Sequence, residues 1–440
     1  MYNRGGDEMV KIIGAGLAGV EAAYFLANQN IDVKLYEMRP KKMTPAHQTG
    51  HFAELVCSNS LRSNDILNAV GLLKKEMQSF NSLIIEAAYY AEVPAGSSLA
   101  VDRDMFSSYI EDKIMNHKHI EVILDEVKEI DIDQYTIIAA GPLASDDLFQ
   151  SIAKLLDQEH LHFFDAIAPI IDASSINMDV AYLKSRYDKG EAAYINCPMD
   201  KETYEKFYDA LIHADKVEHK DFEQNVFEGC MPVEVMASRG KETLLYGPLK
   251  PVGLELEGKD KPYAVIQLRQ DDYSKTMYNI VGFQTHLTWP AQKKVIQMIP
   301  GLEKAEIIRY GVMHRNTYIE SPKVLNNAFQ NLKYPKIFFA GQISGVEGYV
   351  ESAASGLNAA IQMASLIKFD TLNPLPKETM MGAMAHYISS YNRQFVPMNA
   401  NLGLFPELGY KHKKKERKML YAQRSLKHLE AFKEDNPWII

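Results

Sequence analysis

Glycines at fixed spacing near the amino terminus indicate a site for a phosphate-bearing dinucleotide. Gly14, Gly16 and Gly19 form the pattern G-x-G-x-x-G directly after the apolar run 10–13. The first glycine permits a tight turn, the second lets the backbone approach a pyrophosphate, and the third lets the helix pack on the strand. Glu37 follows roughly 20 residues later, where a carboxylate can accept hydrogen bonds from an unphosphorylated ribose. The residues predicted to contact the dinucleotide here are Gly14, Ala15, Gly16, Leu17, Ala18, Gly19 and Glu37.

A second glycine-rich segment, FFAGQISGVEGYVESAASG, lies at 338–356. A strand ending at Gly341 and a helix beginning near Glu351 would direct amide hydrogens toward a phosphate or an electron-rich flavin edge. Two such segments at opposite ends of a chain are typical of a flavoprotein, so we predict FAD with contacts from Gly341 and Gln342. The sequence has no second G-x-G-x-x-G, so NADH or NADPH is predicted to bind less permanently than FAD.

The elements that position these residues follow from hydrophobic periodicity. Residues 10–27 predict a strand and then a helix, and 31–36 predict the second strand of a Rossmann unit. The run 135–142 predicts a buried strand that ends in small residues, and short β-like runs dominate from about 175 onward. The predicted fold class is α/β, a Rossmann FAD-binding domain with an inserted α+β domain. The predicted domains are 1–174 (first part of the FAD-binding domain), 175–330 (inserted substrate domain) and 331–440 (return to the FAD-binding domain and a helical segment).

Length and composition predict a soluble enzyme with more than one lobe. At 440 residues the chain exceeds the size at which single hydrophobic cores stop growing. No apolar run approaches the roughly 20 residues that span a bilayer, and the amino terminus lacks a signal-peptide core. We therefore expect a cytoplasmic protein without membrane contact. Met1 and Met9 are both possible natural starts, because the residues between them have no apolar pattern.

The three cysteines are Cys57, Cys197 and Cys230, and none lies in a C-x-x-C motif. The sequence therefore suggests neither a disulfide framework nor a thiolate zinc site. His47 and His51 precede Cys57 without a recognised ligand spacing, so we predict no metal site.

Longer motifs make a family resemblance specific. FAELVCSNSLRS at 52–63 and FEGCMPVE at 227–234 resemble the FAD- and folate-dependent tRNA (uracil-5-)-methyltransferase family. The resemblance runs almost end to end, through TPAHQT, VPAGSSLAVDR, YDKGEAAYINCPM, MHRNTYIESP and FVPMNANLGLFP. It implies a glutathione-reductase-like FAD domain and the formation of 5-methyluridine at position 54 of the tRNA T-loop, with 5,10-methylenetetrahydrofolate as carbon donor and NAD(P)H as reductant. The glycine-rich turns are also similar to the larger flavoprotein that modifies wobble uridines.

The chemistry of uracil requires a nucleophile in this family. Carbon 5 attacks poorly until a group adds to carbon 6, and a thiolate suits that addition. The resemblance implies that Cys230 is this nucleophile and that Cys57 assists at the flavin, either as a base or as a thiol that captures the methylene adduct. Glu228 and Glu234 flank Cys230 and do not favour its ionisation, so its activation must come from residues distant in sequence. Cys197 is assigned to structure.

Glu347 and Tyr349 lie in the turn beside the flavin and are predicted to contact the cofactor, and the other remaining candidates are predicted to bind substrate. The resemblance places Glu347 and Tyr349 near folate, and places His286 where a pterin would stack on the flavin. A hydrogen-bonded histidine at a strand end explains His286 equally well. A polar loop formed by Arg315, Asn316 and Tyr318 is predicted to bind the glutamate of folate or an RNA phosphate. The alternative is a solvated loop that binds no ligand.

An RNA partner must be reconciled with a net charge of −9. Phosphate binding needs only a local basic surface, and the run Lys411 to Lys418 is the candidate. The alternative is that this run is a solvated helix face. One alternative retains the chemistry and changes the substrate to large-subunit (23S) ribosomal RNA. A second alternative is a catalytically inactive RNA-binding flavoprotein, which the presence of both Cys57 and Cys230 disfavours.

Overall fold

The structure, a computed structural model, describes residues 9–157, 161–166, 168–188, 191–217, 231–392 and 395–439. The elements up to residue 212 are β1 (Val10–Ile13), α1 (Leu17–Asn28), β2 (Val33–Tyr36), β3 (Ser60–Ser63), α2 (Ala69–Gln78), α3 (Leu83–Tyr90), β4 (Glu92–Val93), β5 (Ser98–Val101), α4 (Arg103–Met115), β6 (Ile120–Ile123), β7 (Thr136–Ile138), α5 (Asp146–Leu156), β8 (Leu161–Ala166), β9 (Ile170–Asp172), β10 (Tyr182–Leu183), β11 (Tyr194–Met199) and α6 (Lys201–Ile212). Those after residue 230 are α7 (Val233–Ser238), α8 (Thr243–Tyr246), β12 (Ala264–Gln270), β13 (Met277–Ile280), α9 (Trp289–Ile296), β14 (Ile307–Arg309), β15 (Met313–Tyr318), α10 (Ser321–Val324), β16 (Ile337–Phe339), α11 (Tyr349–Phe369), α12 (Met380–Ser389) and α13 (Arg417–Asp435).

A parallel sheet with strand order β16-β7-β1-β2-β6 forms the centre of the first lobe. Ile12 pairs with Leu35 on one side and with Ile137 on the other, and all three are fully buried. Such apolar strands are expected where helices cover both faces of a parallel sheet. The predicted α/β Rossmann class is confirmed by this arrangement, in which β16 returns from the far end of the chain to pair with β7.

Helices α1 and α11 pack directly against each other in this lobe. A Cβ atom placed on Gly356 would lie 2.1 Å from the carbonyl oxygen of Ala18, so only glycine allows the two backbones to approach so closely. This contact brings the first turn of α11 to the glycine turn that precedes α1.

A second sheet, in which all neighbouring strands are antiparallel, forms the centre of the second lobe and has the strand order β10-β11-β12-β13-β9-β14. Its hydrophobic core draws on residues between 171 and 305, whereas the first core draws on 10–156 and 318–439. Strands β8 and β15 pair with each other where the chain passes between these regions. The predicted domain boundaries, after residues 174 and 330, stay a prediction.

Candidate active site

A cavity opens at the carboxyl ends of the parallel strands, where ligands of doubly wound folds bind. Both glycine-rich segments contribute to its wall, together with the chain around Cys57 and one residue of β15. The predicted site residues that line this cavity are Gly14, Gly16, Leu17, Ala18, Glu37, Cys57, Asn316, Gly341, Gln342 and Tyr349.

The glycines of the first turn differ in what surrounds them. A Cβ on Gly14, where φ is +102°, would lie 2.7 Å from the carbonyl oxygen of Ala139, and one on Gly19 would lie 1.8 Å from that of Gly14. A Cβ on Gly16 would meet no atom within 4 Å. The fold therefore requires Gly14 and Gly19, whereas Gly16 leaves room on the cavity side for a ligand to reach the backbone.

Glu37, at the end of β2, is held by a backbone amide of the glycine turn and by Arg39. Its carboxylate accepts hydrogen bonds from the Ala15 amide at 2.9 Å and from the Arg39 amide and Nε, each at 3.0 Å. Burial alone would raise the pKa of Glu37, but the Arg39 charge and these hydrogen bonds outweigh it and lower the pKa. Glu37 is therefore an ionised acceptor. Sequence reasoning missed Arg39, although it follows Glu37 by two residues.

Two helices begin at the cavity wall. The N-cap residues of α1 and α11 are Gly16 and Gly348, so no N-cap side chain covers the first amide groups of either helix. Unpaired amides and the positive end of the helix dipole favour anionic or electron-rich groups. Together with the room at Gly16 and the acceptor Glu37, these donors fit the pyrophosphate, ribose and ring system of FAD.

Cys57 and Tyr349 meet on the cavity wall although they are distant in sequence. The Cys57 Sγ lies 2.9 Å from the Tyr349 hydroxyl oxygen. The same oxygen accepts hydrogen bonds from the amides of Cys57 at 2.7 Å and Ser58 at 3.2 Å. Cys57 is half-buried, which leaves its thiol within reach of a ligand in the cavity.

The second lobe holds the chain around Cys57 in place. Arg269 of β12 donates through Nη2 to the Ser58 hydroxyl at 2.7 Å and through Nε to Asn59 Oδ1 at 3.0 Å. Arg103 lies with its Nε 3.2 Å from Asp271 Oδ2 and donates to the Leu55 carbonyl at 2.5 Å. These contacts fix the thiol relative to both lobes.

Gln342 and Glu347 form a pair behind the second glycine turn. The Gln342 Nε2 donates to both carboxylate oxygens of Glu347, at 2.9 and 2.8 Å. Because a carboxylate only accepts, this pair leaves the amide oxygen of Gln342 as an acceptor, and Gln342 lines the cavity. Glu347 is buried and does not itself line the cavity, and its predicted folate contact stays a prediction.

Comparisons with known proteins identify the family. A model described as "GIDA: Glucose inhibited division protein A" matches residues 9–370. A protein of Acholeplasma laidlawii (strain PG-8A), named "Methylenetetrahydrofolate--tRNA-(uracil-5-)-methyltransferase TrmFO", is 67% identical over 424 residues, which cover 96% of this chain and 99% of the relative. A relative of the same name from Staphylococcus aureus (strain Newman) is 58% identical over 432 residues, covering 97% and 99%. The chain belongs to this methyltransferase family.

In fold, this chain resembles the solved structure described as "Structure of Aquifex aeolicus GidA in the form II crystal". Its TM-score is 0.70 at 13% sequence identity, and the match covers 99% of this chain and 76% of that one. The membership inferred from the long motifs, and the predicted fold class, are therefore both confirmed.

His286 lies away from the cavity, in the core of the second sheet. Its Nδ1 is 2.6 Å from Glu234 Oε1, and its amide donates to the same oxygen at 2.7 Å. Glu234 is fully buried and also accepts from the Thr285 hydroxyl at 2.9 Å. This geometry matches the hydrogen-bonded alternative for His286, and its stacking on a folate in this methyltransferase family stays a prediction.

The segment that contains Arg315, Asn316 and Tyr318 is a strand, so the predicted polar loop is wrong. It forms β15, in which Arg315 pairs with Phe164 of β8. Asn316 is buried and lines the cavity, whereas Tyr318 is buried with its ring centroid 6.2 Å from that of Phe395. The long-range pairing with β8 determines the strand, and no local pattern reveals it.

Cys230 lies outside the described residues. The described chain on either side of it contacts one short stretch of the second lobe: the Val217 amide donates to the His286 carbonyl at 2.9 Å, and the Val233 amide donates to the Gln284 carbonyl at 2.7 Å. The role that the methyltransferase family implies for Cys230 therefore stays a prediction.

Cys197 is buried in the core of the second sheet. Burial raises the pKa of its thiol to about 12, which agrees with its assignment to structure. In the described part of the chain, no three His, Cys, Asp or Glu side chains gather as a metal ion would require. None of the described helices is long and apolar enough to cross a bilayer.

Proposed function

We propose that this protein transfers the one-carbon unit of 5,10-methylenetetrahydrofolate to carbon 5 of a tRNA uridine, forming 5-methyluridine. The observation that carries the proposal is the placement of Cys57 and Tyr349 on the wall of a cavity built by both glycine-rich segments. Relatives at 67% and 58% identity that span nearly the whole chain are named for this activity.

FAD fits the cavity through the glycine turn before α1, the ionised carboxylate of Glu37 and the first turn of α11. When bound, it would supply the redox and carbon-transfer chemistry, with NADH or NADPH as the external reductant. The chain itself orients the ligand: Gly16 admits the pyrophosphate, Glu37 accepts ribose hydroxyl hydrogens, and Gln342 offers an amide oxygen.

We assign the two thiols to different halves of the reaction. Cys57, beside Tyr349, acts in the flavin half of the reaction. Its sulfur lies at the cavity that fits FAD, where it can exchange a proton with a bound ring. Cys230 adds to carbon 6 of uracil and makes carbon 5 nucleophilic, because a thiolate is the side chain best suited to that addition. Cys197 takes no part, since burial keeps its thiol protonated.

The favoured substrate is the T-loop uridine of tRNA in the cytoplasm. The names of both relatives specify tRNA, which disfavours the ribosomal RNA alternative. A stacked uridine must leave its loop to reach the thiols, so the enzyme must extrude the base before transfer.

The test supplies unmodified tRNA transcript with either methylene-labelled tetrahydrofolate plus NAD(P)H, or S-adenosylmethionine. We expect labelled 5-methyluridine only with the folate and the reductant. The Cys230→Ala variant should fail to form a covalent adduct with 5-fluorouridine tRNA, and the matched control Cys197→Ala should still form it. Methylation from S-adenosylmethionine alone would overturn the proposal, and absence of label in every case would favour the inactive RNA-binding flavoprotein.

A further inference from the structure

Arg309, at the end of β14, is a cation without a matching anion in the described structure. Its Nη2 donates only to the Ala46 carbonyl, at 3.4 Å. Its Nε has no hydrogen-bond partner within the described residues, and no described carboxylate forms an ion pair with it. A guanidinium group offers five donors, and the described protein engages Arg309 through one of them.

The surroundings of Arg309 make this arrangement costly. Burial lowers its pKa, and the nearby charge of Arg103 lowers it further. The two carboxylates that interact with it electrostatically are already engaged: Asp271 with Arg103, and Glu54 with Arg39 at 3.2 Å. Partly buried like charges with unused donors are expected where an anion from outside the chain completes the site.

The position of Arg309 relates it to the cavity. Ala46, its hydrogen-bond partner, lines the cavity, and so do Tyr349 and Glu54, with which Arg309 interacts electrostatically. Arg309 belongs to the second lobe, yet its side chain reaches the wall formed by the first lobe. An anion bound there would lie close to the Cys57–Tyr349 pair.

We propose that Arg309 binds the carboxylate tail of the folate substrate. This inference rests on the proposed function. The planar guanidinium matches a carboxylate through two parallel hydrogen bonds. In folate, an aminobenzoyl spacer joins the pterin ring to the glutamate that carries the carboxylates, so these carboxylates lie about the length of the spacer away from a pterin held in the cavity. A partly buried cation that contacts a residue of the cavity wall suits a small molecule that enters the cavity better than a phosphate on the surface of an RNA.

The experiment measures binding of tetrahydrofolate and of 6-methyltetrahydropterin, which lacks the tail, to FAD-loaded protein by calorimetry. In Arg309→Gln we expect tetrahydrofolate affinity to fall by roughly ten- to a hundredfold, the usual value of hydrogen bonds to a charged group. Affinity for the tail-free pterin and for tRNA should stay unchanged. Arg309→Lys, which keeps the charge without the planar fork, should be intermediate.

The matched control is Lys304→Gln, which removes one exposed charge from the same lobe and should leave tetrahydrofolate binding unchanged. Should Arg309→Gln bind less FAD, the folded Arg309→Lys variant carries the test. Unchanged tetrahydrofolate affinity in these variants, or a loss confined to tRNA binding, would overturn the assignment. A wild-type protein that binds no tetrahydrofolate would instead overturn the proposed function itself.

Discussion

The hydroxyl of Tyr349 can accept two hydrogen bonds and donate one. The amides of Cys57 and Ser58 fill its acceptor positions, which directs its proton toward the Cys57 sulfur at 2.9 Å. Burial, together with the neighbouring Cys57, raises the pKa of Tyr349 well above its ordinary value, so the hydroxyl stays protonated. Tyr349 therefore stabilises an anionic sulfur more than a neutral one.

Replacing Tyr349 with Phe should slow alkylation of Cys57 by iodoacetamide at neutral pH by roughly three- to tenfold, because a hydrogen bond to a partly exposed anion is removed. Peptide mass spectrometry reports the rate at each cysteine. The buried Cys197 provides the internal control, since it should stay unmodified until the protein unfolds. An equal rate for Cys57 in both proteins would show that Tyr349 does not act on the sulfur.

Candidate site residues can be predicted from the sequence, but the residues that contact them in the folded protein cannot. Glu37 and Cys57 stand out because their spacing or motif is local. Arg39 is not predicted, because nothing in the local sequence YEMRP indicates that its guanidinium donates a hydrogen bond to Glu37. The resemblance predicts His286 beside a pterin, and nothing in the local sequence shows that its amide donates to Glu234, 52 positions away. Only the folded chain decides such pairings.

At the scale of elements, the first glycine turn allows a matched pair of substitutions. Gly16→Val places its side chain in open space on the cavity side, so the protein should fold but exclude the dinucleotide. Gly19→Val places a methyl-bearing carbon against the Gly14 carbonyl oxygen and should displace α1 from β1.

Visible flavin absorbance and thermal unfolding separate these outcomes. Gly16→Val should lose the yellow colour, and its apoprotein should melt near the temperature of wild-type apoprotein. Gly19→Val should lose both colour and cooperative melting. Full flavin content in Gly16→Val would remove the glycine turn from the FAD site.

Elements with a local apolar or alternating pattern are predicted correctly, whereas the polar strand β15 is not. The β1-α1-β2 unit follows from an apolar run, a glycine turn and an alternating strand. The polar sequence of β15 predicts a loop. In the structure this segment is a strand, because it pairs with β8, which lies much earlier in the chain. Polar strands in a two-stranded ladder lack the apolar alternation on which sequence reasoning depends.

At the scale of the whole molecule, a net negative protein must still bind a polyanion. Lys413, Lys414 and Lys415 are exposed just before α13, which fits a local interaction with phosphates. Changing all three to Gln should weaken tRNA binding and lower its salt dependence by up to about 0.9 in the log–log slope for each phosphate that the variant no longer neutralises.

Filter binding at several salt concentrations measures this slope, and flavin absorbance should stay unchanged. A control variant with Gln at Lys259 and Lys261, two exposed lysines of the second lobe, should keep the wild-type slope. Equal slopes for both variants would show that the basic run before α13 is only a solvated surface.

The pH dependence of stability reflects two buried carboxyl groups that join helices. Glu21 of α1 accepts from the Ile84 amide at 2.8 Å, near the start of α3, and Glu76 of α2 accepts from the Met380 and Met381 amides at 2.7 and 2.9 Å, at the start of α12. Burial raises the pKa of each to about 7, because it outweighs the hydrogen bonds that favour the anion.

An unfolded glutamate titrates near pH 4.3, so between that pH and about 7 the folded state holds more protons than the unfolded one. The stabilisation is complete below the unfolded pKa and is lost as pH rises through 7. The unfolding free energy should therefore fall by roughly 1.4 kcal/mol for each group between about pH 6 and about pH 8.

Glu21→Gln keeps an acceptor oxygen for Ile84 but cannot titrate, so the unfolding free energy of this variant should fall less over the same pH range. Urea unfolding of the FAD-loaded protein at each pH measures the difference, with the exposed Glu430→Gln as control. A decline in Glu21→Gln as steep as in wild type would show that Glu21 is already ionised in the folded protein.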